Sequence, residues 1–172
     1  MSIEEFIHLL RTNCQQNTFF HFTATQNVRS IREHGLLTMA EIRNRGTEHI
    51  AGGNELSQNL DVRRGMDRFV HLCFRKQHGM AHQAVKEGRI PQLAWLRILP
   101  EIANTPGVMV ALNNAVMNDV RVMPLDAAIN EMDLEVLYTR TDWADAAIQE
   151  RLRRAERYEL LIPNGIPPAY IR

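Results

Sequence analysis

The chain has 172 residues, 45% of them apolar and 23% charged, and its 20 basic and 20 acidic side chains cancel to a formal net charge of zero. That length fits one domain with a buried core; the charge balance excludes a purely electrostatic coat for nucleic acid but leaves room for a local basic patch. Two cysteines, Cys14 and Cys73, are too few for a disulfide framework and fit a reducing cytoplasm.

No stretch is long and apolar enough to span a bilayer, and Met1-Ser2-Ile3-Glu4-Glu5 lacks the basic flank of a signal peptide. Ser2 to Glu5 forms a capping box, and Ile3, Phe6, Ile7 and Leu10 share one face, so a first helix is expected to about Arg11. Residues 13–17 are polar and break it; 19–22 read as a short strand with His21 inside it. Thr25 or Asn27 can cap the next helix, which turns Val28 and Ile31 inward and stops at Gly35. Residues 39–60 hold Arg43, Arg45, Gly46, Gly52, Gly53 and Asn54 and read as a long mobile loop with at most one helical turn.

Residues 69–74 alternate, with Val70, Leu72 and Phe74 on one face, and predict a strand. Residues 78–86 suit a short helix ending at Gly88. Strands are expected at 93–99, closed by Pro100, and at 108–112, after the turn Thr105-Pro106-Gly107. Residues 124–130 can make a helical turn, and 133–138 a short strand or turn. The clearest helix spans 142–157, with Ile148, Leu152 and Ala155 as its apolar stripe. A last strand, 158–162, stops at Pro163. Many short strands and a few short helices, without a βαβ rhythm, point to an α+β domain.

Several chemistries fail on the residues alone. No glycine-rich phosphate fingerprint, P-loop or Gly-x-Ser-x-Gly elbow is present. A Cys73–His71 nucleophile pair is unattractive, because Cys73 reads as a small core residue. His71, Cys73, His78 and His82 offer metal-ligand types, but no CxxC pair supports them, and no metal is expected. What remains is a set of polar residues at the ends of apolar strands: His21, the pair Arg63-Arg64, and Glu159. Each has an ordinary structural reading, as a satisfied strand histidine, a solvated arginine pair or a wet-face carboxylate. The residues by themselves leave the function open.

Taken in order, the pieces are more specific. Phe20-His21-Phe22-Thr23, Asn27, Ile31 and Glu33-His34-Gly35-Leu36-Leu37 resemble the opening of the DarT family of single-stranded-DNA ADP-ribosyltransferase toxins. The resemblance continues through Leu60-Asp61-Val62-Arg63-Arg64, Val70-His71-Leu72-Cys73-Phe74 and Gly79-Met80. It returns at Met132-Asp133-Leu134-Glu135, Trp143-Ala144-Asp145 and Tyr158-Glu159-Leu160-Leu161-Ile162-Pro163. It departs at Phe69, where some relatives carry Tyr, and at Gln77-His78-Gly79-Met80, where they carry Arg-Ser-Pro-Met.

The resemblance implies one ADP-ribosyltransferase domain over 1–172, with a split antiparallel β core, surrounding helices and NAD as co-substrate in the cleft. It implies NAD contacts from His21, Thr23, Asn27 and one or both of Arg63 and Arg64, with Arg64 favoured near the phosphates and the target base. Glu159 would be the catalytic carboxylate, helped by Arg64. Residues 39–60 would recognise the substrate, with Arg43, Arg45 and Arg32 on DNA phosphates and Phe69 or Tyr158 stacking on a base. The implied acceptor is a base, thymine foremost, in single-stranded DNA, and the implied partner a macrodomain antitoxin that removes the mark. Guanine, RNA or a protein side chain as acceptor, and a non-catalytic nucleotide- or nucleic-acid-binding module, stay open as alternatives.

Overall fold

A computed structural model describes residues 1–13, 17–53, 55–115, 117–139 and 141–172. Cys14, and Asn54 of the expected long loop, lie outside the described residues. The helices are α1 (Ile3–Thr12), α2 (Val28–His34), α3 (Met39–Arg45), α4 (Glu55–Arg64), α5 (Gly79–Lys86), α6 (Leu125–Ala128), α7 (Leu134–Tyr138) and α8 (Ala146–Ala155). The strands are β1 (Phe19–Ala24), β2 (Phe69–Cys73), β3 (Leu93–Ile98), β4 (Met109–Ala111), β5 (Val122–Pro124) and β6 (Glu159–Pro163). They form one sheet in the order β3-β1-β2-β6-β4-β5, antiparallel at every pair. The architecture is α+β, as the mixed pattern of short elements predicts.

Period-two alternation gives the sheet two unequal faces. Phe19, Val70, Leu72, Phe74, Val110, Leu160 and Ile162 join Phe6, Ile7 and Leu10 of α1 and Val136 and Leu137 of α7 in the main core. Each such side chain, fully buried, contributes about 1.5–3 kcal/mol. The remaining positions of β2 and β6 belong to a thinner layer, where Leu161 packs with Ala111, Met66 and Phe69. Glu159 and His71 sit in this register class, so alternation spares them from the main core.

Three sequence expectations need correction. Residues 39–60 are not one long loop, because α3 and the first part of α4 occupy them. The Thr38 hydroxyl accepts the Glu41 N–H at 3.2 Å to start α3, and Gly46 ends it at φ 62°. Helix α4 shows no apolar stripe, since Leu56 and Val62 are exposed, so periodicity had nothing to detect. Residues 134–138 are helical, in place of the short strand or turn expected at 133–138, started by the Asp133 carboxylate accepting the Val136 N–H. The helix expected at 142–157 begins only at Ala146, capped by Asp145. Strand β5 was not anticipated; it is three residues long.

Gly35 fixes the position of the chain leaving α2. It holds φ 85°, and a Cβ there would stand 2.3 Å from the Ile166 carbonyl oxygen. Leu36 pairs with Ile166 as an isolated antiparallel bridge. The element after His21 is thereby tied to the turn after β6.

Candidate active site

Strand β1 runs beside β3 for six register pairs, and β2 beside β6 for five. Between β1 and β2 only one pair remains, Phe20 opposite Cys73. The sheet therefore parts beyond that point. The His71 carbonyl receives the His21 ring at the split: His21 Nδ1 lies 3.0 Å from it. A carbonyl has no proton to give, so Nδ1 carries the hydrogen and Nε2 keeps its lone pair. Burial lowers the His21 pKa to about 4, so the ring is neutral at physiological pH.

A cleft enters this split. It is lined by Val70 and Leu72 as well as by His71 and Cys73, from both alternation classes of β2, and by Glu159. Asn27, the last residue of the 3₁₀ turn Thr25–Asn27, stands at the N-cap of α2 but its side chain makes no cap bond. Its Nδ2 donates to Thr23 Oγ1 at 3.0 Å and to the Ile50 carbonyl at 2.8 Å. Its Oδ1 accepts the Ile50 N–H at 3.0 Å. The segment 47–53 is thereby fastened as a wall of the cleft. Arg89 adds a bond to the Gly52 carbonyl.

Glu159 is 5% exposed. Register sets it opposite Cys73 on β2 and Ala111 on β4. His71 faces Leu161, which makes His71 and Glu159 diagonal neighbours. His71 Nδ1 lies 3.0 Å from Glu159 Oε2, and His71 Nε2 lies 3.2 Å from the Met66 carbonyl. The same Oε2 accepts the Ala115 N–H at 3.2 Å. Oε1 stands 3.7 Å from Nε2 of His78, whose ring stacks on Phe22. Burial would raise the Glu159 carboxyl, but the His71 hydrogen bond and charge, with His78 and the Ala115 N–H, bring it below its usual value. Burial opposes charge on His71 too; the Glu159 hydrogen bond and charge, with Asp61, outweigh it and hold the imidazolium up to about 9. Burial lowers the pKa of His78. It pushes the Cys73 thiol up, with Glu159 adding to the effect, so this cysteine is no thiolate nucleophile.

Of the residues singled out by sequence, His21, Thr23, Asn27, Phe69 and Glu159 line the cleft. Arg63 and Arg64 are not among the lining residues. They end α4; Arg63 is exposed, and Arg64 reaches the carbonyls of Ala115 and Met117 and the Asn118 side chain. The Arg64 guanidinium thus sits one peptide behind Glu159, because Ala115 binds both. Arg43 pairs with the buried carboxylate of Asp67 in the 3₁₀ turn Met66–Arg68, and Arg45 with Glu41. Neither lines the cleft. Arg32 is exposed on α2, and Tyr158 packs on the main core.

Among the described residues no group of three His, Cys, Asp or Glu side chains could hold a metal ion. His78 is buried, whereas His82 is exposed, so the i, i+4 pair shares no site. No helix of the described residues is long and apolar enough to cross a membrane. Sequence reasoning passed over His71, His78 and Asp61 as partners of Glu159. Asp61, on α4, lines the cleft with a buried Oδ1 that has no hydrogen-bond partner. Burial, with the charges of Glu159 and Asp67, raises its pKa.

The cleft at the parted sheet has the Glu159 carboxylate in its lining, a charge that can stabilise positive charge developing on a bound group. The family described as ssDNA thymidine ADP-ribosyltransferase, DarT, matches residues 20–172. The chain belongs to the DarT family. Its DarT fold is similar to that of Thermosipho africanus DarTG in complex with ADP-ribose, at TM-score 0.66 and 20% identity, over 90% of this chain and 42% of that one. Thermus sp. 2.9 DarT in complex with ADP-ribosylated ssDNA aligns at TM-score 0.63 and 15% identity, over 93% of this chain and 82% of that one. The same DarT in complex with NAD+ aligns at TM-score 0.59 and 17% identity, over 94% and 82%. No curated protein sequence matches the chain.

Proposed function

We propose that this chain transfers ADP-ribose from NAD to thymine in single-stranded DNA, as the toxin of a toxin–antitoxin pair. The observation that carries the reading is the buried, ionised Glu159 on β6, which lines the same cleft as His21, Thr23 and Asn27. Membership of a family described by that activity supports the acceptor. The thymidine-directed reading also draws on relatives bound to NAD+ and to ADP-ribosylated ssDNA. The paired system named for the Thermosipho relative supports an antidote, which we assign to a macrodomain ADP-ribosyl hydrolase.

The residue types suit the chemistry. Breaking the bond between C1′ of the ribose and the nicotinamide nitrogen builds positive charge on the ribose, and nicotinamide departs neutral. A carboxylate fixed beside that ribose stabilises the charge in a cleft poor in water, where such a group contributes several kcal/mol. A new bond then joins C1′ to a ring nitrogen of the base, whose proton leaves. Glu159 is the base assigned to it. His21 Nε2, the Thr23 O–H and the remaining lone pair of Asn27 Oδ1 supply polar contacts to NAD, and Phe22, Ile31 and Ile50 an apolar wall for its rings. Phe69 stacks on the target base. Arg64 supports the site by holding Ala115, and Arg63 lies exposed at the end of α4, open to phosphate. Arg43 and Arg45 frame the recognition segment 39–60.

The test is mass spectrometry of oligonucleotides incubated with the protein and NAD. An adduct on thymine-containing strands, absent from strands without thymine, is expected. Folded protein that modifies no strand overturns the reading; adducts on guanine, RNA or protein reassign the acceptor. Expression should arrest growth, and Glu159→Ala or a co-expressed macrodomain hydrolase should relieve the arrest.

A further inference from the structure

Both ring nitrogens of His71 face acceptors. One meets the Glu159 carboxylate at 3.0 Å and the other the Met66 carbonyl at 3.2 Å. An ionised carboxylate and a carbonyl have no proton to offer, so a neutral imidazole leaves one contact as two lone pairs face to face. With Glu159 ionised, as the Ala115 N–H donated to the same Oε2 favours, only the imidazolium satisfies both. Its main-chain carbonyl is held in turn by the His21 ring. The ring is therefore fixed from both sides at the mouth of the split.

We propose that His71 is a positioning residue for ADP-ribosyl transfer: as an imidazolium bridging Glu159 and the Met66 carbonyl, it keeps Glu159 ionised and turns its free oxygen, Oε1, to the cleft. The inference rests on the reading of Glu159 as the carboxylate of the transfer. Oε2 is committed to His71 and the Ala115 N–H, while Oε1 makes no hydrogen bond among the described residues and has His78 Nε2 at 3.7 Å. A carboxylate buried to this degree without a cation takes up a proton and loses its use both as counter-charge and as base. The charged and titratable groups facing His71 are Glu159 on β6, Asp61 on α4, His21 on β1 and His78 before α5. Two carboxylates against one imidazolium leave the cleft a net negative charge when Asp61 is ionised. That sign suits a developing ribosyl cation.

The experiment compares wild type and His71→Gln in transfer to a thymine-containing oligonucleotide across pH, alongside NMR of the ring nitrogens of wild-type His71. In His71→Gln, kcat should fall about 10- to 100-fold at neutral pH with KM for NAD unchanged, as for loss of a group that orients a reacting one. The acid limb of the profile, where Glu159 takes up a proton, should move to higher pH. The alkaline limb expected of wild type near 9, where His71 loses its proton, should be absent from the variant. The NMR should show both nitrogens protonated at pH 7. A wild-type pH profile and kcat in His71→Gln overturn the proposal, and so does a neutral His71 ring at pH 7. The NMR measurement needs neither a folded variant nor turnover. If wild-type protein transfers nothing, the assigned activity fails while the ring protonation still decides the His71–Glu159 pairing.

Discussion

His71 and Glu159 are 88 residues apart in sequence, yet His71 Nδ1 lies 3.0 Å from Glu159 Oε2. The approach is diagonal across one antiparallel ladder, with His71 opposite Leu161 and Glu159 opposite Cys73. The proposed catalytic carboxylate is thus the buried half of an ion pair whose imidazole is partly exposed. Removing only its charge, by Glu159→Gln, should lower kcat for transfer by about 10²–10³-fold, the usual loss when a preorganised charge leaves an active site. Steady-state assay against oligonucleotide measures it; a variant with wild-type kcat places the reacting carboxylate elsewhere.

Stability should peak near pH 6.5 and fall on both sides. His71 has a raised folded-state pKa, about 9, so its contribution is complete below the unfolded value of about 6.5 and lost as pH rises through 9. His21 has a lowered folded-state pKa, about 4, because it is buried neutral. The unfolded chain binds that proton first, so stability drops as pH falls from about 6.5 to 4. Glu159, with its lowered pKa, adds to the acid loss further down. Thermal melts from pH 4 to 10 test this, and a curve flat between 6.5 and 9 contradicts the charged state assigned to His71.

Gly35→Ala should destabilise the protein by about 2 kcal/mol or more, since its backbone, at φ 85° and ψ 178°, lies in a region essentially reserved for glycine that costs other residues about 1–3 kcal/mol. The added Cβ also meets the Ile166 carbonyl oxygen at 2.3 Å, and that oxygen holds the Leu36 N–H. Urea unfolding of the two proteins gives the difference. Equal midpoints remove the tie between α2 and the turn after β6 from the account.

Asn27→Ala should free the wall at 47–53. It deletes both bonds to the Ile50 peptide and the one to Thr23, at a cost of about 1–3 kcal/mol if the groups stay unpaired. Amide exchange at Ile50 should quicken and KM for NAD should rise more than kcat falls. Unchanged exchange at Ile50 rules out the clamp.

The two arginines ending α4 should separate cleanly. Arg64→Ala loosens the segment carrying Ala115 and should lower the melting temperature and kcat together. Arg63 is exposed, so Arg63→Ala should alter stability by no more than about 0.5 kcal/mol and act, if at all, on DNA affinity. A rise in KM for NAD as the main effect of Arg64→Ala would instead mean that this guanidinium reaches the dinucleotide itself.

Much of the framework was legible along the chain. The capping box at Ser2 to Glu5, the alternation of β2, the apolar run of β6 and the stripe of α8 each lie within one local window. Periods of 2 and 3.6 are set by neighbours, so a sequence displays them directly. Helices α3 and α4 escaped because neither buries a stripe; caps and tertiary contacts hold them, as in the Arg43–Asp67 pair. Residue types alone brought out His21, the Arg63-Arg64 pair and Glu159, and the family resemblance added Asn27. Only the folded sheet decided that β1 and β2 part after one pair, that His71 meets Glu159, and that Arg64 turns behind Ala115. Those outcomes depend on strand order and register, which couple residues too far apart for any local pattern to record.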